Sequence, residues 1–384
     1  MALRRPRVAT GAMFLVSGAV IGTWAANVPY VRDRLDISTT TIGFCLLAMA
    51  CGSLIAMPLA GRELQRRPSA QLTRLGAVLV PLAGIAPLLA PSVGALAGAL
   101  FLLGVAVGIL DVSMNAHGVA VERASARPVM SSLHASWSVG GLAAAGCVAL
   151  GHLLDADPRA AAAVVLALLL AVGLAAGPHL GTVSVAGAGR RGDEGGGAGG
   201  GRFALPSRGA LVIGAMVFAL FMAEGAVTDW SALYLDRDLG AAATLAAVGY
   251  GAFAGGMALG RILGDRLNRA LGARRLLAGG SALAAAALAA TVATGLPAVA
   301  LAGLLLAGLG VANGVPLLFS AAGRIRDMAP GPAIAAASTM GYLGLLAGPP
   351  LLGFVADATS LPLALAITAL LTGAVALLAR RAEG

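Results

Sequence analysis

Twelve runs of about twenty apolar residues, joined by short polar stretches, leave this chain few ways to fold. In hydrocarbon no water bonds a bare backbone N–H or C=O, so a buried run must satisfy its own polar groups. The α-helix does that within one segment, and about 20 residues rising 1.5 Å each cross a core about 30 Å thick. The runs fall at about 10–31, 39–60, 72–91, 94–120, 129–152, 158–180, 209–235, 243–263, 273–294, 297–320, 332–356 and 361–380. Closed β-barrels are the other spanning solution, but their strands are alternating segments of about ten residues. These runs are about twice that length and do not alternate. The expected fold class is an all-α membrane protein with twelve transmembrane helices. A chain 59% hydrophobic and only 11% charged agrees, against roughly 45–50% and 25% in soluble domains.

All 26 basic residues are arginines, in short clusters between the apolar runs. With the N-terminus inside, 22 of them lie in the tails and even-numbered loops, and only Arg32, Arg34, Arg159 and Arg237 lie opposite. That bias predicts both termini in the cytoplasm, by the positive-inside rule, in the cytoplasmic (inner) membrane. Arginine clusters between spans do not make the stripe that nucleic acid needs, so no nucleic-acid partner is expected. The absence of lysine excludes a Walker-type phosphate loop and a Schiff-base lysine. No His, Cys and carboxylate cluster has metal-ligand spacing, so no metal and no cofactor is expected. Cys45, Cys51 and Cys147 all lie in apolar runs and read as small buried hydrophobes. His117, near the end of span four, reads as solvated.

An internal repeat divides the chain. Tyr30-Val-Arg-Asp-Arg-Leu35 matches Tyr234-Leu-Asp-Arg-Asp-Leu239, and Gly108-Ile-Leu-Asp111 matches Gly310-Val-Ala-Asn313. Gly61-Arg-Glu-Leu-Gln-Arg66 parallels Gly260-Arg-Ile-Leu-Gly-Asp-Arg266. Six spans precede a Gly-rich charged stretch and six follow it. The expected domains are an N-terminal half at 1–180, a flexible cytoplasmic linker at 181–208 and a C-terminal half at 209–384. Each half has an even number of spans, so the two run in the same direction as parallel six-helix bundles. That architecture places a site near the midplane between repeats.

The loop Gly260-Arg261-Ile-Leu-Gly-Asp265-Arg266, followed by Gly272-Ala-Arg274-Arg275, resembles the signature loop of the major facilitator superfamily. The resemblance implies a latch in which the acid meets a helix N-terminus and the basic residues face carboxylates. The first-half copy carries Gln65 where the acid is expected and Pro68 where a glycine is. The stretches 111–122, 127–141, 223–230 and 339–353 resemble a poorly characterised bacterial inner-membrane subfamily near the fucose-permease-like sugar/proton symporters. This resemblance implies transport of a small solute. Gly348-Pro349 is similar to the Gly-Pro motif of drug antiporters, though that motif belongs to span five and here stands in span eleven.

Polar residues inside spans carry the functional expectations, because an ionised side chain at the bilayer centre costs about 2.5–3.5 kcal/mol on insertion scales. Glu224 lies about 22 Å from the inner face and shares an i, i+4, i+7 stripe with Thr228 and Ser231. Asp229 is either a second cavity acid, if Gly225 unwinds the helix, or an interfacial acid paired with Arg32, Arg34 or Arg237. Asp111, on a stripe with Gly104, Gly108, Asn115 and Glu122, lies at the depth of His134 on the next span. Either those two pair and titrate, or each only anchors packing. Glu224, Asp111, His134 and Asp229 are therefore the proton-coupling candidates. Trp24, Asn27, Asn115, Trp137, Thr228, Trp230 and Asn313 are candidate substrate contacts. Trp24 and Trp230 equally suit a membrane interface, and the asparagines equally suit helix–helix bonding. Pro29 should kink or end the first span. Gly251, Gly255, Gly256 and Gly260 should form a close-packing face.

The reading is a monomeric secondary transporter, not an enzyme. It would move a sugar-like or other small polar solute by alternating access, coupled to protons. A proton-antiport exporter of drugs or secondary metabolites is the alternative, and a non-transporting sensor is weaker still.

Overall fold

The computed structural model describes residues 3–181, 207–241 and 243–379. The linker expected at 181–208 lies almost wholly outside them, as do Arg380 and Arg381. The described residues hold helices and no strand. The first six spans are α1 Arg4–Leu35, α2 Thr39–Glu63, α3 Ser69–Leu89, α4 Val93–Ser125, α5 Met130–Leu153 and α6 Pro158–Ala176, with a 3-10 turn at Gly177–Leu180. Then come α7 Arg208–Leu233 with a π turn at Tyr234–Asp238, α8 Ala243–Leu271, α9 Ala273–Thr294, α10 Pro297–Val311, α11 Gly314–Ala322, α12 Pro330–Ala358 and α13 Leu361–Leu378. Eleven helical segments among the described residues are long and apolar enough to cross a membrane, and the 29-residue α8 completes twelve. The chain is a multi-pass membrane protein.

Several threonines inside the rods are satisfied locally, as a medium without water favours. Thr10, Thr23, Thr73 and Thr291 each donate to the carbonyl four residues back, at 2.7–2.9 Å. At the joints, Ser38, Ser92, Ser207 and Ser360 accept from first-turn N–H groups of α2, α4, α7 and α13. Asp157 does the same for α6, accepting from Arg159 and Ala160 at 2.9 and 3.0 Å. Each satisfies one of the orphan donors of a helix start.

Two alternatives left open about the rods are decided, and one expectation fails. Pro29 does not end span one; it stands inside α1, which continues to Leu35 and stops where Asp36 turns left-handed at φ 50°. The helix also runs unbroken through Gly225, so unwinding does not bring Asp229 inward. Span ten, expected whole, splits at Ala312 and Asn313. Pro316 accounts for the break: it has no N–H for the carbonyl of Ala312, and its ring crowds that same carbonyl. The cysteines also divide, Cys45 buried and Cys51 and Cys147 exposed.

Two compact units divide the chain. The first holds α1–α6 with the short segment Ala329–Ala335. The second holds α7–α13 without that segment, and with Met130–Ser132 at the start of α5. Each unit is built on glycines that let two backbones touch. In the first, a Cβ on Gly104 would strike the Met49 carbonyl and one on Gly52 the Phe101 carbonyl, closing α4 on α2. In the second, Gly308 meets the Phe253 carbonyl and Gly256 the Leu305 carbonyl, closing α10 on α8. Gly140 meets Leu15 of α1 as Gly344 meets Phe218 of α7. The expected glycine face of α8 is therefore half right. Gly256 and Gly260 pack against α10, whereas Gly251 and Gly255 face open space.

Candidate functional site

In the second unit a titratable group of side chains lies between α7 and α8. Glu224 of α7 is half-buried and interacts electrostatically with Arg261 of α8, and Tyr250 of α8 interacts with both. Arg261 is only 6% exposed, while Tyr250 is 47% exposed. Tyr250 was not singled out in the sequence; eleven positions before Arg261, it shares a helical face with it. Thr228 donates to the Glu224 backbone carbonyl at 2.8 Å, so its hydroxyl bonds its own helix. Asp229 is exposed and interacts with Tyr250. Two of its suggested partners are engaged elsewhere: Arg32 pairs with Asp33 at 2.7 Å, and Arg34 donates to the Ala90 carbonyl at 2.7 Å. Trp230 is half-buried with its ring against Gly353, and neither its Nε1 nor the Ser231 hydroxyl has a hydrogen-bond partner among the described residues.

The signature loop forms a second cluster in the same unit. One Asp265 carboxylate oxygen accepts from the N–H groups of Ser131 and Ser132, in the first turn of α5, at 3.1 and 3.4 Å. A carboxylate there meets both orphan donors and the positive end of the helix dipole. Gly264 leaves room for this approach, since a Cβ would overlap Asn313 and Ser131. The Asn313 amide donates to the Gly260 carbonyl at 3.0 Å. Asn313, a candidate substrate contact, is buried and bonds the split tenth span to α8, while its Oδ1 has no hydrogen-bond partner among the described residues. Arg266, Arg274 and Arg275 stand exposed around the α8–α9 turn, where Gly272 takes φ 81°.

In the first unit, Trp24 and Asn27 are buried on one face of α1. At 3% exposure Trp24 is packed inside the protein, which disfavours a lipid-interface placement. The Asn27 amide donates to the Thr23 carbonyl at 2.8 Å, while Asn27 Oδ1 and Trp24 Nε1 find no partner among the described residues. Asn115 donates to Asp111 twice, to its backbone oxygen at 2.9 Å and its carboxylate at 3.3 Å. Asp111 and His134 are half-buried on adjacent helices, and the imidazole lies 5.0 Å from the Phe14 ring of α1. Trp137 is half-buried, and its carbonyl fills the space beside Gly18. His117 was misread as solvated. It is fully buried, with Nδ1 3.0 Å from the Ser69 hydroxyl and Nε2 3.2 Å from the Leu180 carbonyl. Both partners come from other elements, so nothing near His117 in sequence announces them. Glu122, placed on the inward stripe, accepts from the Val129 N–H at 2.9 Å and closes the α4–α5 joint.

Twelve apolar helices, with titratable groups inside the rods, define a polytopic helical membrane protein. No family model matches the chain. An uncharacterized MFS-type transporter of Yersinia pestis is 35% identical over 374 residues, covering 97% of this chain and 95% of that one. An uncharacterized transporter of Sinorhizobium fredii is 34% identical over 385 residues, 98% of each chain. The protein belongs to the major facilitator superfamily of transporters. Its fold superposes on the transporter FucP in an outward conformation with a TM-score of 0.83, covering both chains fully at 17% identity.

Proposed function

We propose that this protein is a proton-coupled secondary transporter of a sugar-like or other small polar solute. It would lie in a bacterial cytoplasmic membrane with both termini inside, where the arginine bias favours them. The observation that carries the reading is Glu224, a half-buried carboxylate within a span, which interacts electrostatically with Arg261 and Tyr250 of the next helix. A carboxylate so placed can hold a proton in one state of the cycle and lose it in another, as the water around it changes. The structural neighbour FucP is described as a fucose:proton symporter, which supports both the substrate class and the coupling ion. Trp24 and Asn27 are the foremost solute contacts, because each keeps a buried polar atom that no described residue satisfies. Asp265 on the first turn of α5 acts as a latch that must release as the transporter changes state. Both repeats lie in one chain, so a monomer suffices.

The test is a thermal-shift screen of the purified protein against sugars and small metabolites at two pH values. A ligand at about 100 times its dissociation constant stabilises the fold by about 2.7 kcal/mol. A hit whose shift depends on pH in the wild type and not in Glu224→Gln supports the reading. Hits that Glu224→Gln leaves unchanged at both pH values refute the role of this carboxylate.

A further inference from the structure

A cleft of about 530 Å³ opens on the first unit where α1 begins and α6 ends. Its lining divides into a basic part, Arg4, Arg5 and His179, here called the mouth, and an apolar part, Val8, Ala9, Ala12 and Ala176, here called the floor. Its volume falls within the roughly 300–1,000 Å³ of small-molecule sites. Among the described residues no acidic residue lines it, and α1 has none in its first turn. From Arg4 to Ala12 the cleft descends about 12 Å along the helix, at 1.5 Å per residue. The chemistry changes sharply over that distance, from two guanidinium groups and an imidazole to bare methyl and isopropyl groups. Arg4, Arg5, Val8 and His179 are exposed, so a ligand can reach both the charged and the apolar end.

We propose that this cleft is a binding site for an anionic diacyl phospholipid. The phosphodiester head sits against Arg4 and Arg5, with His179 beside it, and the upper acyl carbons lie over Val8, Ala12 and Ala176. Charge complementarity selects the occupant. A soluble anion would use the mouth and leave the apolar floor wet, and a neutral lipid would cover the floor and leave two arginines without a counter-charge. Guanidinium forks match phosphate oxygens in geometry as well as charge. Basic pockets between helices at the headgroup level of a membrane suit anionic lipid in just this way. The inference rests on the protein's being a membrane protein, and it stands or falls independently of what the protein transports.

The experiment is native mass spectrometry of the full-length protein released from detergent, titrated with phosphatidylglycerol or with phosphatidylcholine of identical acyl chains. The wild type should retain phosphatidylglycerol in preference to phosphatidylcholine. The variant R4A/R5A should lose about 25-fold in phosphatidylglycerol affinity and keep its phosphatidylcholine affinity, as expected for removing two basic contacts. A12W, which fills the floor without touching the charges, should weaken phosphatidylglycerol as well. Each variant is checked by its melting temperature in neutral detergent, so a folding defect is seen directly. Equal retention of the two lipids, or an unaltered preference in R4A/R5A, overturns the proposal. So does displacement of phosphatidylglycerol by inorganic phosphate at matching concentration, which would make this an anion site and not a lipid site.

Discussion

Glu224 and Arg261 interact electrostatically from consecutive spans, in surroundings where removing one of two opposed charges leaves the other less well compensated. Glu224→Gln and Arg261→Gln should each lower the melting temperature, and the double variant should lose less than the sum of the two. A coupling of roughly 0.5–3 kcal/mol in that double-mutant cycle is expected for residues that interact. Strict additivity would mean that the charges ignore each other. A smaller effect is expected at Asp157. The Ala160 N–H and the Arg159 side chain hold its carboxyl below the usual carboxylate range. A group depressed in the folded state contributes stability above its unfolded pKa and loses it as pH falls through the folded value. Wild type should therefore soften below about pH 4, near the ordinary carboxylate value, more than Asp157→Asn does, which thermal melts at pH 5 and pH 3 would register. The acid in span seven was legible in the sequence because an ionisable residue there needs a reason. His117 was not, since its burial depends on Ser69 and on Leu180, both distant in sequence.

At the scale of the helices, stability depends on where backbones touch. Gly104 and Gly98 both lie in α4, but a Cβ on Gly104 would overlap the Met49 carbonyl, and one on Gly98 would meet nothing. Gly104→Ala should force α2 and α4 apart and cost about 1–3 kcal/mol, the usual penalty of overpacking. Gly98→Ala should be neutral or stabilising by up to about 1 kcal/mol, since alanine loses less backbone freedom in a helix. Equal melting temperatures for the two variants would contradict the packing described. The number of rods was legible, because hydrocarbon dictates their length whatever their order in the fold. The split of span ten had its signal in Pro316, whose missing N–H falls on Ala312. At Gly225 the sequence left an alternative open, and the structure decides it. A glycine permits unwinding without requiring it, and the α7 hydrogen bonds simply continue.

Across the whole molecule the repeat is written in glycines as clearly as in charged motifs. Gly52 and Gly104 serve α2 and α4 as Gly256 and Gly308 serve α8 and α10, at one constant offset in sequence. The two repeats nevertheless diverge in chemistry. Asp265 bonds the start of α5, whereas the first-half loop has Gln65 in that place and closes on a Glu63–Arg67 ion pair of 2.5 Å. The motif stretches made this asymmetry readable; the bonding of Asn313 to Gly260 was not, because an asparagine suits a solute and a neighbouring helix equally well. Proton coupling through Glu224 is the central claim, and reconstituted vesicles test it most directly. Wild-type protein, given an inward proton gradient and a solute identified by the thermal-shift screen, should accumulate that solute against its concentration, and a protonophore should abolish the accumulation. Glu224→Gln should exchange labelled for unlabelled solute yet fail to concentrate it. Gradient-driven accumulation by Glu224→Gln at the wild-type level would contradict the account.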